Sequence, residues 1–476
     1  MSDNTNKTNQ SALYTLVTVW FFWSFVAASN GILIPLFKEK FGLEQWQAQL
    51  VDFAFYAAYF VGSVLYLLFS RVYNGDILNK IGYKNGIVIG LAISAVGSML
   101  FYPAAETKSY VLLLTALFVV GLGFSLQQTA TQPFMIALGP PETGAQRINL
   151  GGAVNNFGGT IGPTIVSFAI FGSISAEAAE HATIESVKVP YLFLGGLFIL
   201  VALFFWISKL PRITNDEKVE AGLGALKYPQ LVLGMAAIFV YVGVEVTIGS
   251  NLPEYLKETQ GLVSSQVAKY VSLFWGSMMI GRWTASISNF NPSATLKKIL
   301  IVIVPFVAFA IVLAANYIHS GDVSDLYIYG FCVVIMIVAF FMTKEKPVRT
   351  LLIYTAVGAI MTLIGVFTSG KLALFSLISG GLFCSVLWPS IFSLGTAGLG
   401  KYTNQGASFL IMMILGGAII PVAQGFLADT IGIQSSYLLA AACFAFLFWF
   451  GIRVQAVLRK QGIDFDQAVS GGKGGH

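Results

Sequence analysis

The sequence predicts an all-α membrane protein with fourteen spanning helices. Three observations carry that prediction. Apolar residues make up 56% of the 476-residue chain and charged residues only 10%, against roughly 25% charged in a soluble globular protein. Mean hydropathy is +0.77. The apolar residues also gather into repeated runs of about 18 to 25, long enough to cross a hydrocarbon core ~30 Å thick. A soluble protein of this composition would lack the polar surface to cover itself.

The elements follow in order. The start, "MSDNTNKTNQ", is polar and lacks a signal-peptide pattern. Residues 1–12 are therefore expected to be disordered, and the first apolar run to remain as a helix. Candidate helices cover 13–37, 48–70, 86–104, 110–137, 148–172 and 189–208. A polar linker, 209–229, comes next. Helices then cover 230–256, 266–288, 298–315, 326–343, 350–368, 372–395, 405–428 and 434–456. Residues 458–476, ending "SGGKGGH", are expected to be flexible.

An even number of spans puts both termini on one side. Of the 27 lysines and arginines, only Lys38, Lys40, Lys108, Lys188, Lys257, Lys269 and Lys371 fall on the other side. Positive charge collects on the cytoplasmic side, so both termini are expected in the cytoplasm of a bacterial inner-membrane protein. The net charge of +5 follows from that bias and points to no nucleic acid. Cys332, Cys384 and Cys443 all lie in apolar runs, with no disulfide or metal spacing. No nucleophile–base pair or phosphate loop appears, and "GLGFS" (121–125) lacks the phosphate-loop lysine. An enzyme is therefore not expected, nor a cofactor.

The chain repeats itself. "NGILIPLFKEKFGL" (30–43) resembles "SNLPEYLKETQGL" (250–262). Phe55-Tyr56 then falls on Phe274-Trp275, and Gly62 on Gly281. Further on, "QPFMIALG" (132–139) resembles "WPSIFSLG" (388–395), and "FGGTIGP" (157–163) resembles "LGGAIIP" (415–421). The spacing widens between Gly281 and Pro389 by about one helical hairpin. The expected plan is a bundle of six helices over 13–208 and a second over 230–457, with a hairpin inserted near 298–343. Parallel six-helix repeats joined by a charged inner loop mark the major facilitator architecture, with the site at the midplane between halves.

The residues also resemble one branch of that superfamily. "RVYNGDILNKIGYKNG" (71–86) and its reduced copy "GRWTAS" (281–286) look like its loop between the second and third helices. "AFYAAYF", "QTATQPF", "RINLGGAVNNFGG", "YVGVEVTIGS" and "SFLIMMILGGAIIPVAQGFLAD" are similar to the fucose:proton symporter and glucose/galactose transporter branch. The resemblance implies a sugar transporter working by alternating access. It also implies two carboxylates, one late in the first helix and one in the fourth. Gly31 and Gln128 occupy those positions here, and neither titrates.

Ionisable groups within spans are costly and mark function. Asp52 lies one turn into the second helix, behind Gln45, Gln47 and Gln49. It is either a hydrated residue at the outer rim or the coupling-ion site. The related melibiose-type permeases keep their sodium-site aspartates on that helix. Sodium is therefore favoured over the proton as the coupling cation, with Gln127, Thr129 and Asn156 as further oxygen ligands beside Asp52. Glu245 lies near the middle of the seventh helix and is expected to accept sugar hydroxyls. Asn30, Gln128, Asn155 and Asn251 add amides, and Trp275 and Trp388 add aromatic faces for a sugar ring. Asn155 matches a sugar-contacting asparagine of the family pattern. Asp76 and Arg282 are expected in gating. The leading function is import of a neutral hexose-type sugar with a cation, by a monomer in the bilayer. A passive sugar uniporter, a proton-coupled symporter and a membrane sugar sensor are the alternatives.

Overall fold

In a computed structural model, residues 9–73, 77–139, 144–171, 183–212, 223–262, 264–290 and 292–463 are described. Helix α1 spans Gln10–Phe41, α2 Leu50–Val72, α3 Tyr83–Glu106, α4 Tyr110–Ala137, α5 Gly144–Phe171 and α6 Lys188–Ile207. The second half continues with α7 over Pro229–Gln260, α8 Ser264–Ser286, α9 Ala294–Ser320, α10 Gly330–Thr343 and α11 Pro347–Phe367. Helix α12 is broken into Gly370–Ile378, Gly380–Cys384 and Leu387–Thr396. Helix α13 runs over Thr403–Met412 and Gly416–Ile431 around a tight turn. Helix α14 spans Leu438–Lys460.

Among the described residues, eleven stretches are long and apolar enough to cross a bilayer; they correspond to α2, α3, α4, α6, α7 and α9 to α14. Helices α1, α5 and α8 have comparable length and pack among them. Local signals set the helix ends. Asn9 caps α1, its side chain accepting from Ala12 N at 3.1 Å. Pro229 opens α7, where the missing N–H costs nothing. Helices α1 and α7 both stop at a left-handed glycine, Gly42 (φ +62°) and Gly261 (φ +64°). The two helices therefore repeat even in how they end.

Pairing repeats as well. In the first half α1 packs on α5, α2 on α4, and α3 on α4 and α6. In the second, α7 packs on α13, α8 on α12, and α11 on α12 and α14. Helices α9 and α10 stand outside this scheme: α9 leans on α8 and α10 on α11. Helix α9 leaves Ile299, Val302, Ile303 and Phe306 exposed, an apolar surface suited to lipid. The halves meet along α5–α8 and α2–α13.

Glycines set the crossings, as expected where membrane helices approach without a hydrophobic driving force between them. A methyl added to Gly158 would lie 2.3 Å from Phe21 O, and one on Gly416 would lie 1.7 Å from Phe239 O. These are the α1–α5 and α7–α13 crossings. Likewise Gly121 meets Phe55 O at 2.4 Å and Gly381 meets Phe274 O at 2.6 Å, at the α2–α4 and α8–α12 crossings. The last pair corrects the repeat register. With Gly121 equivalent to Gly381, and Ser125 to Ser385, Trp388 stands opposite Gln128 and not Gln132. The match of "QPFMIALG" to "WPSIFSLG" rests on a proline and not on the crossing.

Candidate functional site

A cavity of about 120 Å³ lies between the halves. Its first-half wall carries Trp20 and Trp23 from α1, Phe55, Tyr56 and Tyr59 from α2, Gln128 and Gln132 from α4, and Asn155 from α5. Its second-half wall carries Tyr241 and Glu245 from α7, Trp275 and Arg282 from α8, and Trp388 from α12. The lining mixes rings with few convergent polar groups, the make-up of a small-molecule site.

The polar groups are held by neighbours. Gln128 Nε2 donates to Tyr59 OH (3.1 Å), and Gln132 Nε2 donates to Gln128 Oε1 (3.3 Å). Asn155 Nδ2 donates to Trp20 O at 2.7 Å, tying α5 to α1. Arg282 Nε donates to Ser385 O (2.9 Å), Nη1 to Asn156 Oδ1 (3.0 Å) and Nη2 to Tyr241 OH (3.4 Å). Glu245 follows Tyr241 by one turn on α7 and lies within electrostatic reach of Arg282. Arg282 therefore spans the halves and faces Glu245 across the cavity lining. Gln132 Oε1 and Trp20 Nε1 are buried without a hydrogen-bond partner. They are an acceptor and a donor in the lining of the cavity, where a hydroxyl-bearing ligand could satisfy both.

Five of the residues expected to bind sugar meet in this cavity: Gln128, Asn155, Glu245, Trp275 and Trp388, with Arg282 beside them. Asn251 does not. It lies nearer the face of loop 42–49, accepting from Gln45 Nε2 at 3.2 Å and donating to Thr247 O at 3.0 Å. Asp76 and the side chain of Asn30 lie outside the described residues.

The expected cation ligands do not assemble. Asp52 is 2% exposed and accepts a hydrogen bond from Ser250 Oγ of α7. Gln127 instead accepts from Trp23 Nε1 and donates to Ser94 Oγ, both at 3.0 Å. Thr129 Oγ1 donates to Ser125 O of its own helix at 2.8 Å, and Asn156 serves Arg282. Adjacent helical positions differ by ~100°, so Gln127 faces α3 although Gln128 faces the cavity. Asp52 is also no hydrated rim residue, since it is enclosed between α2 and α7.

Several residues of the cavity and of the Asp52 contact were not among the sequence candidates. Tyr241 precedes Glu245 by one turn on the same face, a usable signal. Tyr56 is the repeat partner of Trp275, so the symmetry pointed to it. Ser250, the partner of Asp52, had no signal of its own.

The Major Facilitator Superfamily profile matches residues 15–344. A glucose/galactose transporter of Brucella abortus (strain 9-941) is 35% identical over 446 residues, covering 93% of each chain. The L-fucose-proton symporter of Escherichia coli (strain K12) is 28% identical over 459 residues, covering 91% of each. The crystal structure of the superfamily transporter FucP in the outward conformation aligns with a TM-score of 0.65 at 27% identity, covering 93% of this chain and 98% of that one. The chain belongs to the Major Facilitator Superfamily, within the branch that holds these transporters. It is a multi-pass membrane protein of a transporter superfamily and not an enzyme.

Proposed function

We propose that the protein imports a neutral hexose-type sugar with a co-transported cation, by alternating access. One observation carries this reading: a cavity between the halves has amides and indole rings on one wall and indole rings with a carboxylate on the other. Amides and a carboxylate hydrogen-bond sugar hydroxyls in directional pairs, and rings cover the C–H face of a pyranose. The names of the two relatives, a glucose/galactose transporter and a fucose–proton symporter, support the substrate class.

The full proposal has fourteen spans, with α1, α5 and α8 added to the eleven strongly apolar stretches and α9–α10 as the inserted hairpin. It divides the chain into bundles over 13–208 and 230–457, joined by the linker 209–229, with the hairpin inside the second. The second-half pairing supports the hairpin, because it matches the first half once α9 and α10 are skipped. The lysine and arginine bias supports cytoplasmic termini in a bacterial inner membrane, with the face of loop 42–49 outside.

Coupling requires that ion and sugar stabilise the same state, each raising the affinity for the other equally. Asp52 and Glu245 are the acidic groups available for it, since Gly31 and Gln128 replace the family carboxylates. Sodium is the proposed cation, and the proton is the alternative. Counterflow in proteoliposomes, with a panel of hexoses, tests the substrate; repeating uptake with sodium or potassium outside at fixed pH tests the coupling. Sugar exchange with accumulation driven by sodium is the expected result. Sugar binding without flux would instead make the protein a sensor, and exchange without accumulation a uniporter.

A further inference from the structure

Resting on the coupled-transport reading, we infer that Gln45, Gln49, Asp52 and Ser250 form a site for a dehydrated monovalent cation of sodium's size. The site is built between the halves, at the face of loop 42–49, and differs from the ligand set expected from the sequence. Positions 45, 49 and 52 recur at i, i+4 and i+7, through the short helix Gln45–Ala48 into α2. All three side chains meet the same turn of α7. Gln45 Nε2 donates to Asn251 Oδ1 at 3.2 Å, Gln49 Nε2 to Ser250 O at 3.5 Å, and Ser250 Oγ to Asp52.

Each amide spends its nitrogen on α7 and leaves its oxygen over. Gln45 is 5% exposed and Gln49 0%, and both Oε1 atoms are buried without a hydrogen-bond donor. Two orphaned oxygens beside a buried carboxylate are costly in that environment. A proton on Asp52 would leave both amide oxygens orphaned. A hard monovalent cation satisfies them, because carboxylate, amide carbonyl and hydroxyl oxygens are its preferred ligands.

The site has an entrance. A hollow at the rim is lined by Lys38, Glu44, Gln45, Trp46 and Asp429, among others, so Gln45 borders both the hollow and the site. Lys38 is paired with Glu254, which leaves Glu44 and Asp429 to favour cations over anions at that mouth. The ligands come from α2 and α7, which belong to different halves. The ion is therefore held fully only while the halves meet at this face, and its binding energy favours that closed arrangement over the open one. Tyr56, one turn below Asp52, lines the sugar cavity, which puts the two sites a helical turn apart.

The test is thermal unfolding of the purified full-length chain in detergent, with sodium chloride replacing potassium or choline chloride at constant ionic strength and pH. Sodium should raise the midpoint saturably, and potassium and choline should not. Gln45→Ala and Gln49→Ala should each weaken apparent sodium affinity by roughly tenfold or more, the scale of disturbing a metal's shell. Asp52→Asn should abolish the response. Size exclusion in detergent and the unfolding midpoints of the same variants in potassium chloride report whether they fold. A sodium response that survives Asp52→Asn overturns the site. So does a wild-type protein that ignores sodium and responds only to pH through Asp52. Failure of wild-type counterflow with an intact sodium response would sink the transport reading instead, and leave the site standing.

Discussion

The two halves of the molecule share a scaffold and divide the chemistry. Gly158 against Phe21 and Gly416 against Phe239 are the same crossing built twice, as are Gly121 against Phe55 and Gly381 against Phe274. Yet the first half offers the cavity amides, Gln128, Gln132 and Asn155. The second offers Glu245, Arg282, Trp275 and Trp388. Positions equivalent by the crossings carry unlike groups, Tyr56 against Trp275 and Gln128 against Trp388. Backbone contacts constrain both halves equally, because a glycine facing a carbonyl admits no side chain. Cavity positions carry no such backbone contact, so nothing holds them alike.

The largest effect is expected at the scaffold. Gly416→Ala would put a methyl 1.7 Å from Phe239 O, so backbone must move. The expected cost is about 3 kcal/mol or more, at the upper end for overpacking, with Gly158→Ala (2.3 Å) affected less. Folded yield on fluorescence-detected size exclusion, followed by thermal unfolding, gives the ranking. Equal tolerance at both positions would show that the two crossings do not differ in tightness.

The chemical division is sharpened next, inside the cavity. Glu245→Gln removes a charged acceptor, and hydrogen bonds to charged groups contribute about 1.5–3 kcal/mol. Sugar affinity should fall by roughly tenfold to a hundredfold. Gln128→Ala removes a neutral amide and should cost about 1 kcal/mol, roughly fivefold. Half-saturation in counterflow measures both. If the two losses are the same, the walls do not differ as their residues suggest.

The smallest effect is expected at the rim, where the halves touch through Lys38 of α1 and Glu254 of α7, 2.7 Å apart and partly exposed (27% and 19%). Trp46 also stacks on Phe426 of α13 there, 5.2 Å between centroids. Partly exposed ion pairs contribute at most about 1 kcal/mol. Lys38→Ala should therefore raise the labelling rate of an Asn251→Cys reporter only a few fold. A much larger rise would mean that this pair alone holds the face closed.

Much of this was legible in the sequence, and for identifiable reasons. Apolar runs report spans directly, because lipid leaves the backbone no partner outside its own helix. Gln128, Asn155, Glu245, Trp275 and Trp388 were found because polar and aromatic groups are rare inside spans and these sit where the repeat brings the halves together. The cation ligands were misassigned because adjacency in sequence is not adjacency in space: Gln127 and Thr129 flank Gln128 and face other helices. Ser250 was passed over because a serine in a span carries no mark of its partner.

The chain alone determined that it crosses a membrane, that it is doubled, and which titratable groups lie within spans. Composition and period decide those matters, and both are local or countable. Tertiary structure alone decided the facing of each side chain. It joined Arg282 to Asn156 and Tyr241, joined Asp52 to Ser250, and left two glutamine oxygens stranded beside Asp52. Those outcomes depend on the rotation and height at which two helices far apart in sequence meet. The tightest local contacts set that meeting, here a glycine against a carbonyl, and no single helix encodes it.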